Sequence, residues 1–96
     1  MASEFALSIL TPERTVFEGA VEYVQVPGTE GYLGVLAHHA ALVTALMPGT
    51  LTVRRAPRDA GSGGAEERWR VGGGFFEVSS NQATVLADSI EAGAEG

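Results

Sequence analysis

The chain has 96 residues, 45% of them apolar, and a formal net charge of −6 at pH 7. This is one small domain, too apolar to be disordered and able to bury roughly two thirds of its unfolded surface. It has no cysteine, which excludes disulfide and thiol chemistry and suits a reducing compartment, while the acidic balance argues against non-specific nucleic-acid binding and anionic membrane surfaces.

No apolar run approaches the ~20 residues of a spanning helix, and Met1-Ala2-Ser3-Glu4 is not the basic start of a signal peptide. The expectation is a soluble intracellular domain. Phe5 to Leu10 alternates, with Phe5, Leu7 and Ile9 on one face, the period of a half-buried strand. Thr11-Pro12-Glu13-Arg14 turns the chain. Thr15 to Glu18 reads as a second strand stopped by Gly19. Ala20 to Val26, rich in β-branched and aromatic residues, reads as a third.

Pro27 and Gly28 open the segment that carries the functional question. Gly28, Gly31 and Gly34 recur every three residues, as a tightly bent loop requires. A short strand, Tyr32 to Leu36, follows. Ala37 to Ala45 is ambiguous and could carry a helical turn. Leu42 to Leu46 is apolar, Met47-Pro48-Gly49-Thr50 is a turn, and Leu51 to Arg55 is a strand. Ala56 to Glu67 is small, polar and glycine-rich, the composition of a mobile hairpin tip. Arg68 to Val71 returns, with Trp69 and Val71 inward. Gly72-Gly73-Gly74 breaks the strand and Phe75 to Val78 resumes it. Ser79-Ser80-Asn81-Gln82 is a turn. Ala83 to Asp88 is the last strand, and residues 89–96 form a short acidic tail that frays. The fold class is all-β, a two-sheet sandwich or flattened barrel of roughly eight to ten short strands.

The candidate chemistry is sparse. His38 and His39 are adjacent, and neighbours in an extended chain face opposite ways, so they cannot easily share a metal. No cysteine or suitably spaced carboxylate joins them. The simpler reading has one histidine packing or hydrogen-bonding and the other facing solvent or a partner. The glycine loop lacks the Gly-Lys-Ser/Thr ending of a phosphate-binding loop, and no set of residues suggests a catalytic triad. Glu30, at the tip of the glycine loop, is either a solvated charge or a partner contact on a rigid scaffold. Composition and spacing alone stop at a small acidic binding module. The rival from another class is a small β-barrel that binds a ligand or metal through His38 and His39.

Two blocks of residues carry a resemblance. Gly28-Thr29-Glu30-Gly31-Tyr32-Leu33-Gly34-Val35-Leu36, with His39-Ala40-Ala41-Leu42-Val43-Thr44-Ala45-Leu46 and Pro48-Gly49, resembles the signature of the epsilon subunit of F-type ATP synthases. Gly73-Gly74-Phe75-Phe76-Glu77-Val78 through Asp88, and the opening Phe17-Glu18-Gly19, resemble the same family. The resemblance spans Phe5 to Asp88 and implies that residues 1–88 are the family's N-terminal β-sandwich domain.

It further implies a non-catalytic rotor subunit in the central stalk, with no cofactor. Such a subunit binds gamma, rests on the ring of c subunits, and couples proton or sodium flow to ATP synthesis. It meets the membrane only through the complex, at the cytoplasmic face of the bacterial membrane, and the isolated domain is expected to be monomeric. Carried over by position, Thr29, Glu30, Gly31 and Tyr32 face the ring's polar loops, and His38 and His39 lie near the ring and stalk contact. Tyr32 stands where an acidic residue is common. Ala37-His38-His39-Ala40-Ala41 replaces a Pro-Gly-His-Ala-Pro turn, which makes that turn looser or partly helical here. Typical relatives continue into a C-terminal helical hairpin that restrains ATP hydrolysis and in some binds ATP. The expectation here is a subunit without that restraint.

Overall fold

The computed structural model describes residues 4–56 and 65–92, and every regular element among them is a strand. The elements are β1 (Phe5–Leu10), β2 (Thr15–Gly28), β3 (Gly31–Val35), β4 (Leu42–Arg55), β5 (Glu66–Ser79), β6 (Gln82–Ala87) and β7 (Ile90–Ala92). The sheet runs β1-β6-β5-β4-β2, and β1 also pairs with β2, so five strands close into a barrel. Strand β3 adds to β2, and β7 adds to β5. The all-β flattened barrel is therefore as expected.

The segmentation differs. Three pairs of expected short strands are single strands of 14 residues: β2, β4 and β5. Gly19 does not stop a strand; it pairs with Leu7 inside the β1–β2 ladder. Nor do Met47 to Thr50 and Gly72 to Gly74 interrupt β4 and β5. Leu46 pairs with Gly74 and Pro48 with Gly72, and the register on either side is the same. What changes there is the inward face. In β4 the buried positions pass from Leu46 to Leu51 and Val53, which switches parity. In β5 they pass from Val71 and Gly73 to Phe76 and Val78, which switches it at the same place. The hairpin turns a corner there, so each strand serves both layers of the sandwich. Gly73 and Gly74 make the corner at φ 113° and 134°, a region that only glycine occupies readily.

A second parity change lies in β2, where Val21 and Val24 are both fully buried although three residues apart. A bulge between Val21 and Tyr23 supplies the extra residue. The core is then continuous. Phe5, Leu7 and Ile9 from β1 meet Val21, Val24 and Val26 from β2, Leu51 and Val53 from β4, Phe76 from β5 and Val85 from β6.

Local chemistry makes the turns. The Thr11 hydroxyl accepts from the Glu13 and Arg14 amides and closes the β1–β2 turn. Ser80 and Asn81 both have positive φ, 52° and 60°, with Ser79 paired to Gln82; this is the two-residue hairpin turn that matches strand twist. Ile90–Ala92 pairs with Trp69–Val71, so a strand lies where the sequence reads as tail. Trp69 lies on the inward face with Val71, as expected, but is only half-buried and packs against the edge of the core. Its ring lies 6.0 Å from that of Phe17, and the Arg55 guanidinium stacks on Phe17 at 4.9 Å and pairs with Glu67. Much of the expected mobile tip after Ala56 lies outside the described residues.

Candidate functional site

The glycine loop is a hairpin tip. Thr29 and Glu30 form a two-residue turn between β2 and β3, where Gly28 pairs with Gly31. Gly31 has φ 123° and open space around it, so glycine is required there by torsion, not crowding. Thr29, Glu30, Gly31 and Tyr32 are all exposed. An open hollow of about 300 Å³ lies beside them, walled by Thr29, Glu30, Tyr32, Leu33 and Thr44. Tyr32 is not a free side chain: its hydroxyl accepts the Thr50 amide at 3.1 Å.

The histidines lie elsewhere. Strand β3, at about 3.3 Å per residue, separates them from the tip. The expected helical turn is absent among the described residues; Ala37 and His38 form a non-helical turn, and His38 takes φ 64°. The His38 amide donates to Asn81 Oδ1 at 2.7 Å, and Asn81 Nδ2 donates to the Glu4 carbonyl at 3.1 Å. Asn81 thus joins three segments at one end of the barrel. His38 is exposed, whereas His39 is half-buried with Nδ1 at 2.7 Å from the Ala40 carbonyl. The division of roles between the two histidines is the one the sequence suggested. Among the described residues no three His, Cys, Asp or Glu side chains are grouped closely enough to hold a metal.

One surface escapes the sequence reading altogether. Ala45 pairs with Phe75, Phe75 with Leu86, and Leu86 with Leu10. Directly paired residues share a face with side chains about 5 Å apart. The four therefore form a row across β4, β5, β6 and β1, about 14 Å wide at the usual strand spacing. Phe75 is 56% exposed, and Val43 and Met47, flanking Ala45 on the same face, are 71% and 49% exposed. Glu77 pairs with Val43 and bounds this face; a row of exposed apolar side chains on a small acidic domain is a candidate interaction surface. Gly28 pairs with Leu46, so the Thr29–Glu30 tip stands beside the Met47 end of the row. The available signal was the run Leu42 to Leu46, apolar on both strand faces, which a half-buried strand does not need.

Residues 4–93 match the family described as "ATP synthase, Delta/Epsilon chain, beta-sandwich domain". The chain is 47% identical over 85 residues to the ATP synthase epsilon chain of Moorella thermoacetica, covering 88% of this chain and 59% of that one. It is 44% identical over 91 residues to the ATP synthase epsilon chain of Desulforamulus reducens, covering 95% and 64%. It thus spans about three fifths of the length of these curated relatives. A chain in the structure of the Euglena gracilis mitochondrial ATP synthase superposes with TM-score 0.82 at 23% identity, over 94% of this chain and 54% of that one. A chain of the Tetrahymena thermophila central stalk and c-ring gives 0.72 at 19%, over 96% and 67%. These two likenesses speak to the fold. The chain belongs to the ATP synthase delta/epsilon family, as its β-sandwich domain.

Proposed function

We propose that this domain is a non-catalytic part of the central stalk of a rotary ATP synthase. It seats on gamma through the apolar row and presents the Thr29–Glu30 tip to the polar loops of the c-ring. The carrying observation is the row Leu10–Leu86–Phe75–Ala45 on a member of this family. Burying such a face is favourable at roughly 25 cal/mol per Å² of apolar area. The adjoining tip is polar and exposed, as a contact with polar loops requires, and its chemistry differs from that of the row. His38 and His39 flank the stalk side of this arrangement.

In this reading the domain takes no cofactor and turns with gamma and the ring, so that ion flow drives ATP synthesis. It meets the membrane, at the cytoplasmic face of a bacterial cell, only through the complex. The strands supply docking alone; a restraint on hydrolysis of the helical-hairpin kind is not a property of the sandwich.

The test is to mix the purified chain with the matching gamma subunit and measure mass by size-exclusion chromatography with light scattering. A one-to-one complex, lost in Phe75→Glu with the fold intact, is expected. Two separate peaks from well-folded partners would overturn the gamma-seating reading.

A further inference from the structure

Among the described residues, strand β3 is the outermost strand of its sheet and its ladder runs to β2 alone. Strand β2 pairs on its other edge with β4 as far as Gly28↔Leu46, but the register shifts between Gln25 and Gly28, so the ladder is irregular just below the tip. A side-chain contact ties β3 to β4 as well. Tyr32 pairs with Pro27 across the ladder, which puts both side chains on one face, over the Pro48–Gly49 bend. The Tyr32 hydroxyl accepts the Thr50 amide at 3.1 Å, 18 residues away in sequence.

The fit depends on an empty position. A Cβ added to Gly49 would lie 2.8 Å from Pro27 Cβ and 2.9 Å from the Tyr32 hydroxyl, closer than real Cβ contacts come. Gly49 is not one of the positive-φ glycines, so space rather than torsion asks for glycine there. Gly49 is the slot and Tyr32 fills it.

We infer that Tyr32 is a positioning residue, a latch that sets the angle of the Thr29–Glu30 tip against the bend of β4. Its task is to hold the tip at one orientation before the tip meets its partner, which lowers the ordering cost of docking. The inference rests on the reading of the tip as ring-facing.

The experiment uses the ¹⁵N-labelled chain and two variants. Tyr32→Phe keeps the ring and removes the acceptor. Gly49→Ala keeps the hydroxyl and fills its slot. In Tyr32→Phe the Thr50 amide is expected to exchange about five- to tenfold faster, the factor carried by one hydrogen bond of ordinary net strength. In both variants the heteronuclear NOEs of Thr29, Glu30 and Gly31 should fall, while those of Phe76 and Val85 stay unchanged. Unchanged shifts and order at residues 29–31 in Tyr32→Phe overturn the latch, whether or not Gly49→Ala folds. A uniform loss of stability without local loosening also overturns it. Docking of the wild-type chain and of Glu30→Gln on the assembled ring separates the two ideas. If the tip loosens in Tyr32→Phe but Glu30→Gln docks normally, the latch stands and the ring-facing reading falls.

Discussion

The backbone amide of His38 donates to the side chain of Asn81 at 2.7 Å, across 43 residues of sequence. The same side chain reaches Glu4 at 3.1 Å, so one residue in a two-residue turn anchors the start of β1 and the β3–β4 connection. Asn81→Gly keeps the positive φ and removes both hydrogen bonds. We expect a loss of about 1–2 kcal/mol, read by urea denaturation. Asn81→Ala should cost about 1 kcal/mol more, because alanine resists the left-handed region. Equal effects of the two would assign the whole cost to the hydrogen bonds.

Gly74→Ala tests the corner of the long hairpin. A Cβ there would lie 2.0 Å from the Leu86 carbonyl oxygen, at a φ of 134°. Backbone strain and the clash with main chain add, and we expect a loss of about 3 kcal/mol or more, seen as a lowered thermal midpoint. A near-neutral substitution would mean that the corner relaxes into the two 14-residue strands at little cost.

Phe75 and Phe76 are adjacent and should separate cleanly. Phe75→Glu alters an exposed side chain, so its effect on stability should stay within about 0.5 kcal/mol while gamma binding is lost. Phe76→Ala, at a fully buried position, should cost about 3–5 kcal/mol. Calorimetry with and without gamma distinguishes the two effects. Weakened folding in Phe75→Glu would assign the row to the core rather than to an interface.

Glu30→Gln should leave the midpoint of unfolding where it is, since exposed turn substitutions cost little, and should weaken docking on the ring. Co-sedimentation with membranes carrying the rest of the complex measures this. Undiminished docking would remove Glu30 from the interface.

Trp69→Ala should cost about 2 kcal/mol in chemical denaturation, less than the ~3–5 kcal/mol of a fully buried aromatic residue. Trp69 is half-buried, packed against the edge of the core and in tilted contact with Phe17 at 6.0 Å. A larger loss would show that the Phe17–Arg55–Trp69 cluster acts as a unit.

Period-2 alternation in Phe5, Leu7 and Ile9, and in Ala83, Val85 and Ala87, is a local property, and those residues are buried as it dictates. The turns at Thr11 and at Ser80–Asn81 follow equally from short-range chemistry, because their partners lie within a few residues. So does the glycine-shaped tip. The family signature could be read because it consists of residues whose spacing along the chain is all that matters.

Other features were not local. Gly19, Pro48 and Gly72 look like strand breakers in one dimension, but each sits in a ladder with a partner far away in sequence. A strand continues through them because the ladder to the neighbouring strand runs past them without a change of register. Which of Phe75 and Phe76 faces the core depends on parity, and parity is reset at the Gly73–Gly74 corner that barrel closure requires. The apolar row follows from that choice, since its members come from four strands and meet only through their registers. Alone, the sequence determined strand content, turn chemistry and family, because these are set by side chains within a few residues of one another. The tertiary structure decided which face is core and which is interface, because register and closure are properties of pairs of strands and belong to no single segment.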